Sequence, residues 1–159
     1  MKSTPSLLGM MNELIETISV SSTSPQWDTS NRRVIDKLAG WLDSLGFDTE
    51  IIALAGDNDK ANLIATLGSG PGGLVLSGHT DTVPFNESRW SSNPLAVTER
   101  DNKLFGLGTT DMKGFFPIAI EAAKTFVDQP LQQPLIILAT ADEESSMEGA
   151  RQLAKLGRP

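Results

Sequence analysis

Two runs of consecutive apolar residues constrain the fold of this chain more than any other feature. The runs are GGLVLSGH at residues 72–79 and PLIILATA at residues 134–141, and neither has the polar alternation of a half-exposed strand. Such runs are typical of strands buried on both faces of a parallel or mixed sheet. We therefore expect two inner strands, with His79 at the C-terminal end of the first.

Helical periodicity surrounds these strands. Apolar residues at three- and four-residue steps predict one amphipathic helix from Leu7 to Ile18 and a second from Val34 to Leu45. Residues 115–126 are apolar nearly all round and predict a mostly buried helix. A last helix is expected after Ser145 or Ser146, either of which could cap it, with Gly157 as its stop.

Shorter segments complete the pattern. FDTEII and ANLIATLG read as strands on either side of the turn AGDNDK, and LAVTERDNKLFGLG reads as a hairpin around Asp101 and Asn102, which tolerate left-handed backbone. The order of elements predicts an α/β fold with a mixed, largely parallel sheet between helices.

Composition excludes several classes of protein. The 159 residues suit one domain, and a net charge of −7 without a basic cluster argues against nucleic-acid binding. No cysteine is present, which excludes disulfides and thiolate metal sites and suits a cytoplasmic protein. The apolar run at residues 7–11 is too short for a signal peptide or a membrane span.

Three polar clusters follow apolar or glycine-rich runs. They are His79 with Asp81, Asp111 after GLGTT, and the carboxylates of residues 142–144 after LIILATA. Ligands of open α/β sheets bind beyond the C-terminal ends of the strands, where these clusters are expected. Each cluster alone also has an ordinary structural explanation: a hydrogen-bonded loop pair, a helix N-cap, or acidic residues at the positive end of a helix dipole.

Taken together, the clusters indicate a metal. Three ionisable groups at neighbouring strand ends are costly to bury unless a cation compensates them, and imidazole with carboxylates suits a catalytic divalent ion. Asp81 could accept the other ring N–H of His79 and fix its tautomer. Of the adjacent Glu143 and Glu144, one could bind metal while the other acts as general base.

Other chemistries find less support. GLGTTDMKG lacks the spacing of either phosphate-binding glycine motif, and no G-x-S-x-G elbow is present. For Lys113 the ordinary expectation is a solvated lysine on a helix surface, and the alternative is a cation that faces the substrate.

The stretches LVLSGHTDTVPF, RWSSNPL, DNKLFGLGTTDMKGF and LIILATADEESSMEGA together resemble the M20 family of metal-dependent aminoacylases and exopeptidases, and within it the acetylornithine deacetylases. The resemblance implies a zinc-exopeptidase-like fold with two zinc ions, for which cobalt can substitute. It implies that His79 binds the first ion, Glu144 the second, and Asp111 both. It further implies that Glu143 is the general base and that Asp81 orients His79.

The implied reaction is hydrolysis of a small-molecule N-acyl amino acid. N-acetylornithine, cleaved to ornithine and acetate in arginine biosynthesis, is the first candidate; a relative acting on another N-acyl or N-succinyl amino acid is the alternative. No nucleic-acid or membrane partner is expected.

Family members carry further parts. These are another carboxylate ligand, a lid or dimerisation domain, and a late histidine ligand. Residues 1–159 are therefore expected to be the N-terminal portion of a metal-binding catalytic domain, with an incomplete sheet and without the lid. Each metal would keep two protein ligands here, so the 159-residue chain alone is expected to bind metal weakly and to be inactive, whereas the full-length protein could be a homodimer.

Overall fold

The computed structural model describes residues 4–56 and 59–159. Residues 1–3 and the middle of the predicted AGDNDK turn lie outside the described residues. The helices are α1 Leu7–Glu16, α2 Arg32–Ser44, α3 Phe115–Lys124 and α4 Glu148–Lys155. The strands are β1 Asp48–Ala53, β2 Ala61–Leu67, β3 Leu74–His79, β4 Thr98–Arg100, β5 Lys103–Phe105 and β6 Leu135–Thr140.

The main sheet has four strands in the order β1-β2-β6-β3. The predicted mixed α/β sheet is confirmed, but the expectation that it is largely parallel is wrong for the described strands. β2 is antiparallel to both β1 and β6, and β3 is parallel to β6. Connection length explains two of these pairings: few residues separate β1 from β2, whereas a parallel pair needs a crossover, which contains α3 between β3 and β6.

The two apolar runs occupy different places in the sheet. β6 lies between β2 and β3, as predicted for an inner strand. β3 is instead an edge strand of the described sheet, with Leu74 60% and Val75 38% exposed, so the prediction that it is buried on both faces is wrong. An apolar run is compatible with a strand buried on both faces, but it determines neither how many strands pair with it nor how exposed it is.

Helices cover both faces of the sheet. On one face, side chains of β2 and β6 such as Leu63 and Ile137 pack with α1, α2 and α3 in the main core. On the other face, Ile64 and Leu138 form a smaller cluster with Leu153 of α4. Alternate residues of each strand thus serve opposite layers, which confirms the predicted helix–sheet–helix arrangement.

Element ends differ from the sequence predictions in detail. α1 ends at Glu16, and Ile18 lies beyond it with 47% of its surface exposed. The residue preceding α4 is Met147 in a left-handed conformation, rather than Ser145 or Ser146, although Ser146 Oγ accepts a hydrogen bond from the Glu148 amide. Met147 N–H donates to Asp142 O, so this turn belongs to the loop after β6.

Two turn predictions are confirmed. Asp101 and Asn102 join β4 to β5 with φ angles of 53° and 56°, the left-handed values expected of a tight hairpin. Gly157 has φ 62° and follows Leu156, the C-cap residue of α4. Among residues 4–56 and 59–159, no helix combines the length and apolar character needed to cross a bilayer.

Candidate metal centre

Parallel pairing of β3 with β6 places two of the polar clusters side by side. His79 lies opposite Thr140 in the register, so both strands end at the same edge of the sheet. The segments after them carry Asp81 on one side and Glu143 and Glu144 on the other. This edge is where the strand-end rule locates a ligand site.

The Nε2 atom of His79 lies near carboxylates, and its Nδ1 atom lies near the backbone. Its Nε2 lies 3.0 Å from Asp111 Oδ1 and 3.8 Å from Glu143 Oε2. Its Nδ1 lies 3.1 Å from the backbone carbonyl oxygen of Asp81 and 3.6 Å from Asp81 Oδ1. The carbonyl rather than the carboxylate of Asp81 is therefore within hydrogen-bonding distance of the ring.

Asp111 reaches the site from the loop that precedes α3. The helix begins at Phe115 with Gly114 as the preceding residue, so Asp111 is not its N-cap. The loop is tightly folded, because a Cβ on Gly114 would lie 2.2 Å from the carbonyl oxygen of Thr109. The Asp111 side chain is 73% exposed, which leaves its second oxygen accessible.

Glu143 and Glu144 belong to the loop between β6 and α4. Because α4 begins at Glu148, these carboxylates do not lie in its first turn, and the helix-dipole explanation does not fit their position. Their backbone amides donate to Asp81 instead, at 3.2 Å to Oδ1 for Glu143 and 3.0 Å to Oδ2 for Glu144.

These two hydrogen bonds give Asp81 a structural role that the sequence did not predict. Its buried carboxylate joins the loop after β3 to the loop after β6, in addition to lying beside His79. No signal in the sequence could have found it, because the donors are main-chain groups that every residue except proline carries.

The electrostatics of the site reflect crowded negative charge. Burial lowers the pKa of His79, but Asp81, Asp111 and Glu143 raise it more, to about 9. Burial raises the pKa of Asp81, but the imidazole and the amides of Glu143 and Glu144 bring it below its ordinary value. The pKa of Glu144 is raised, first by burial and then by repulsion from Asp111.

These residues fit a divalent metal ion. Ligand atoms of His79, Glu143 and Glu144 all lie within 4.8 Å of one another, and Asp111 Oδ1 is in contact with the same imidazole. Three carboxylates around one nitrogen ligand supply oxygen and nitrogen donors and an excess of negative charge. Burial first, and then the negative charge of Asp111, raises the pKa of Glu144, and a bound cation would favour its charged form.

Lys113 lies deep in the protein, contrary to the expectation of a solvated lysine. It is 1% exposed, and its Nζ donates to the Thr17 carbonyl oxygen at 2.8 Å and to Ser19 Oγ at 3.4 Å. Burial lowers its pKa to about 8, although Asp81 opposes that shift. Lys113 therefore ties the end of α1 to the Asp111 loop, and no substrate could reach its ammonium group.

The raised pKa of His79 predicts a pH dependence for the metal-free protein. With a folded pKa of about 9 and an ordinary value of 6.5, the folded state keeps the proton that the unfolded chain releases. The stabilisation is fully present below pH 6.5 and is lost as the pH rises towards 9. We expect the free energy of unfolding to fall by about 1–2 kcal/mol between pH 6.5 and 8.

Urea unfolding in the presence of EDTA measures how the free energy of unfolding changes with pH. The measurements end at pH 8 because a second group, Lys113, titrates near that pH. Lys113 has a lowered pKa of about 8, so its release of a proton adds stability above that pH and opposes the effect of His79. The control is His79→Gln, whose stability should be nearly flat over the same range. An equal slope in that variant would contradict the assignment.

The comparisons with known proteins agree on a family. Residues 75–158 match the model of peptidase family M20/M25/M40. An acetylornithine deacetylase of Pasteurella multocida is 56% identical over 151 residues, which is 95% of this chain and 40% of that protein. The acetylornithine deacetylase of Proteus mirabilis is 52% identical over 94% of this chain and 39% of its own length. The chain thus spans about two fifths of the curated relatives it matches.

Solved structures show the same fold. Human carnosine dipeptidase 1 aligns with a TM-score of 0.78 at 24% identity, covering 94% of this chain and 34% of that one. An M20 metallo-carboxypeptidase of Sulfolobus solfataricus aligns with a TM-score of 0.73 at 19% identity, covering 88% of this chain and 31% of that one.

Proposed function

Because the chain belongs to peptidase family M20/M25/M40, we propose that it carries part of the active site of a metal-dependent deacylase acting on N-acetylornithine. The observation that carries the proposal is the meeting of His79, Asp111, Glu143 and Glu144 at one edge of the sheet. The substrate is inferred from the relatives, since acetylornithine deacetylases are 49–56% identical to this chain over more than nine tenths of its length.

His79, Asp111 and Glu144 are the proposed metal ligands. Nε2 of His79 lies beside the exposed carboxylate of Asp111, while Nδ1 lies against the Asp81 backbone. Nε2 is therefore the nitrogen placed to bind metal. Two zinc ions are proposed, with Asp111 shared between them and cobalt as a substitute. Bound there, zinc supplies Lewis acidity, which makes a water molecule a stronger acid and an amide carbonyl a better electrophile.

Glu143 is the proposed general base. Its side chain is 46% exposed and its Oε2 lies 3.8 Å from His79 Nε2, so the carboxylate borders the site without being buried in it. In amide hydrolysis it would take a proton from the attacking water and return a proton to the departing amine. The two backbone bonds to Asp81 fix the loop from which Glu143 reaches that position.

Ligand number bears on the activity of the isolated chain. Counting the proposed ligands, each metal has two from these residues, whereas a catalytic zinc ordinarily has three protein ligands and a water. We infer that the 159-residue chain binds zinc weakly and does not turn over substrate by itself. The remaining ligands would come from residues like those in the part of the relatives that this chain does not match.

The proposal is tested with the chain and with a chimaera. In the chimaera, the chain replaces the segment that it matches in the Pasteurella multocida relative. We expect the chimaera to release acetate from N-acetylornithine when loaded with zinc and to lose that activity in a chelator. We expect the chain alone to show no turnover and less than one tightly bound zinc ion.

The outcomes separate the two parts of the proposal. A folded chimaera that binds zinc but cleaves only other N-acyl or N-succinyl amino acids would change the substrate and keep the reaction. Absence of zinc binding in a folded chimaera would contradict the metal site. Turnover and two tightly held zinc ions in the chain alone would contradict the inference about ligand number.

A further inference from the structure

A buried cation lies behind the candidate metal centre. Lys60, directly before β2, is 8% exposed, and its Nζ donates to Asp28 Oδ1 at 2.6 Å and also to Asp142 Oδ1. The side chains of Asp28 and Asp142 are themselves only 9% and 13% exposed. Burial lowers the pKa of Lys60, but the two carboxylates outweigh it and raise the pKa above 10.5. The lysine is therefore charged and connects two loops.

One of these loops carries the proposed catalytic carboxylates. Asp142 directly precedes Glu143 and has φ 62°, a left-handed conformation that a residue with a side chain adopts at a cost. Its Oδ1 accepts hydrogen bonds from Lys60 and, at 2.8 Å, from Ser21 Oγ. Its carbonyl oxygen accepts the Met147 amide at 2.6 Å. The start of the loop is thus held at the side chain of Asp142 by one carboxylate oxygen and at its backbone by the carbonyl oxygen.

The other loop lies along the histidine segment. Asp28 accepts the Ser22 amide at 2.9 Å, in the stretch that follows α1. In the same stretch Ser21 N–H donates to the Thr82 carbonyl oxygen at 2.9 Å, next to Asp81. Through Asp28 and Asp142, Lys60 consequently connects the loop that contacts the histidine segment to the loop that carries Glu143 and Glu144. Lys60 is not part of the metal-binding cluster itself.

We propose that Lys60 is a positioning residue of the deacylase site, acting through Asp142 to set the backbone from which Glu143 and Glu144 reach the metal. Calling the site a deacylase site rests on the proposed function. The contacts of Lys60 do not depend on that function. Asp142 is held at its side chain by Lys60, and the next two amides are held by Asp81, so the loop is fixed at two successive points. Without Lys60, Asp142 keeps only Ser21 as a side-chain donor, and this left-handed residue directly before Glu143 is held less firmly.

The alternative is an ion pair that serves stability alone. Breaking a buried pair by removing one partner is destabilising wherever it lies, so a lower melting temperature would fit both explanations. The two differ in where the structure loosens. A purely stabilising pair would affect exchange throughout the fold, whereas a positioning residue would affect Glu143 and Glu144 selectively.

Amide hydrogen exchange by NMR on the metal-free 159-residue chain distinguishes them. In Lys60→Met, we expect exchange at Glu143 and Glu144 to accelerate by at least about tenfold relative to Ile137, which is buried in the central strand. In Lys60→Arg, the ratio of the exchange rates at Glu143 and Glu144 to the rate at Ile137 should stay close to that of the parent chain. The guanidinium group can still donate to both carboxylates. Equal acceleration at all three amides, or no selective change, would overturn the proposal.

Matched variants complete the test. Lys37→Met removes a half-exposed pair with Glu13 and should leave the ratio unchanged. If Lys60→Met does not fold, Ser21→Ala removes the other donor to Asp142, together with the contact between Ser21 Oγ and Ser145 Oγ, without leaving a buried charge. It should move the ratio in the same direction. An unchanged ratio in folded Ser21→Ala would then overturn the proposal.

A zinc titration separates this inference from the proposed function. The chain has one histidine, so its ring resonances report binding at the site without ambiguity. If the parent chain shows weak zinc binding, Lys60→Met should weaken it by about tenfold more, in line with the effect of outer residues on metal sites. If the parent chain binds no zinc, the chimaera decides the metal site, and the exchange ratio still decides the role of Lys60.

Discussion

Replacing Glu143 by glutamine in the zinc-loaded chimaera is expected to lower kcat by about a thousandfold, within the range that general-base catalysis contributes. Glutamine has the same shape as glutamate but cannot accept a proton from water at neutral pH. The backbone amide of residue 143 keeps its bond to Asp81, so the loop should stay in place. We therefore expect KM and zinc content to change little.

Glu148→Gln is the matched control. Its carboxylate is 45% exposed, close to the 46% of Glu143, and it lies on α4 outside the metal-binding cluster. The control should keep nearly full activity. Glu144→Gln should lower zinc affinity as well as kcat, because Glu144 is a proposed ligand. Full activity of Glu143→Gln would contradict the mechanism, and loss of zinc in that variant would exchange the roles of the two glutamates.

Gly149→Ala is expected to lower the free energy of unfolding of the chain by about 3 kcal/mol, the upper end of ordinary overpacking effects. A Cβ at this position would lie 2.5 Å from both the Ala141 carbonyl oxygen and Asn62 Oδ1. Asn62 is fully buried and is itself fixed, since its amide group donates to Gly149 O at 3.0 Å and it accepts the Ala141 amide at 3.1 Å. Neither neighbour is the free end of a flexible side chain.

Urea unfolding measures the loss, and Gly40→Ala is the control. Gly40 is exposed in the interior of α2, and a Cβ added there would meet no atom within 4 Å. Alanine there should stabilise the chain by about 0.5–1 kcal/mol, because alanine favours the helix. Equal effects of the two substitutions would show that α4 does not pack as closely on the strands as its position next to Asn62 requires.

Local chemistry made much of the fold predictable. The spacing of Val34, Leu38 and Leu42 predicted α2, and the pair Asp101 and Asn102 predicted the hairpin between β4 and β5. These predictions succeeded because helix periodicity and left-handed turn residues act over a few neighbouring positions. The direction and neighbours of β3 were not predictable in this way, because strand pairing joins residues about 60 positions apart.

The candidate site shows the same division. The sequence pointed to His79, Asp81, Asp111, Glu143 and Glu144 by their residue types and by their positions after apolar or glycine-rich runs. It suggested the wrong environment for Lys113, since a lysine between methionine and glycine carries no local sign of burial. It held no indication of Lys60, whose two partners lie 32 and 82 residues away.

By itself, the sequence determined the α/β class, the family and the set of ionisable side chains available for metal and proton transfer. Only the tertiary structure decided that the amides of Glu143 and Glu144 bind Asp81 and that Lys60 holds Asp142. The physical reason is that residue type fixes what a side chain can donate, accept or ligate. Which groups meet depends on chain packing, which brings distant segments to one edge of the sheet and excludes water between them.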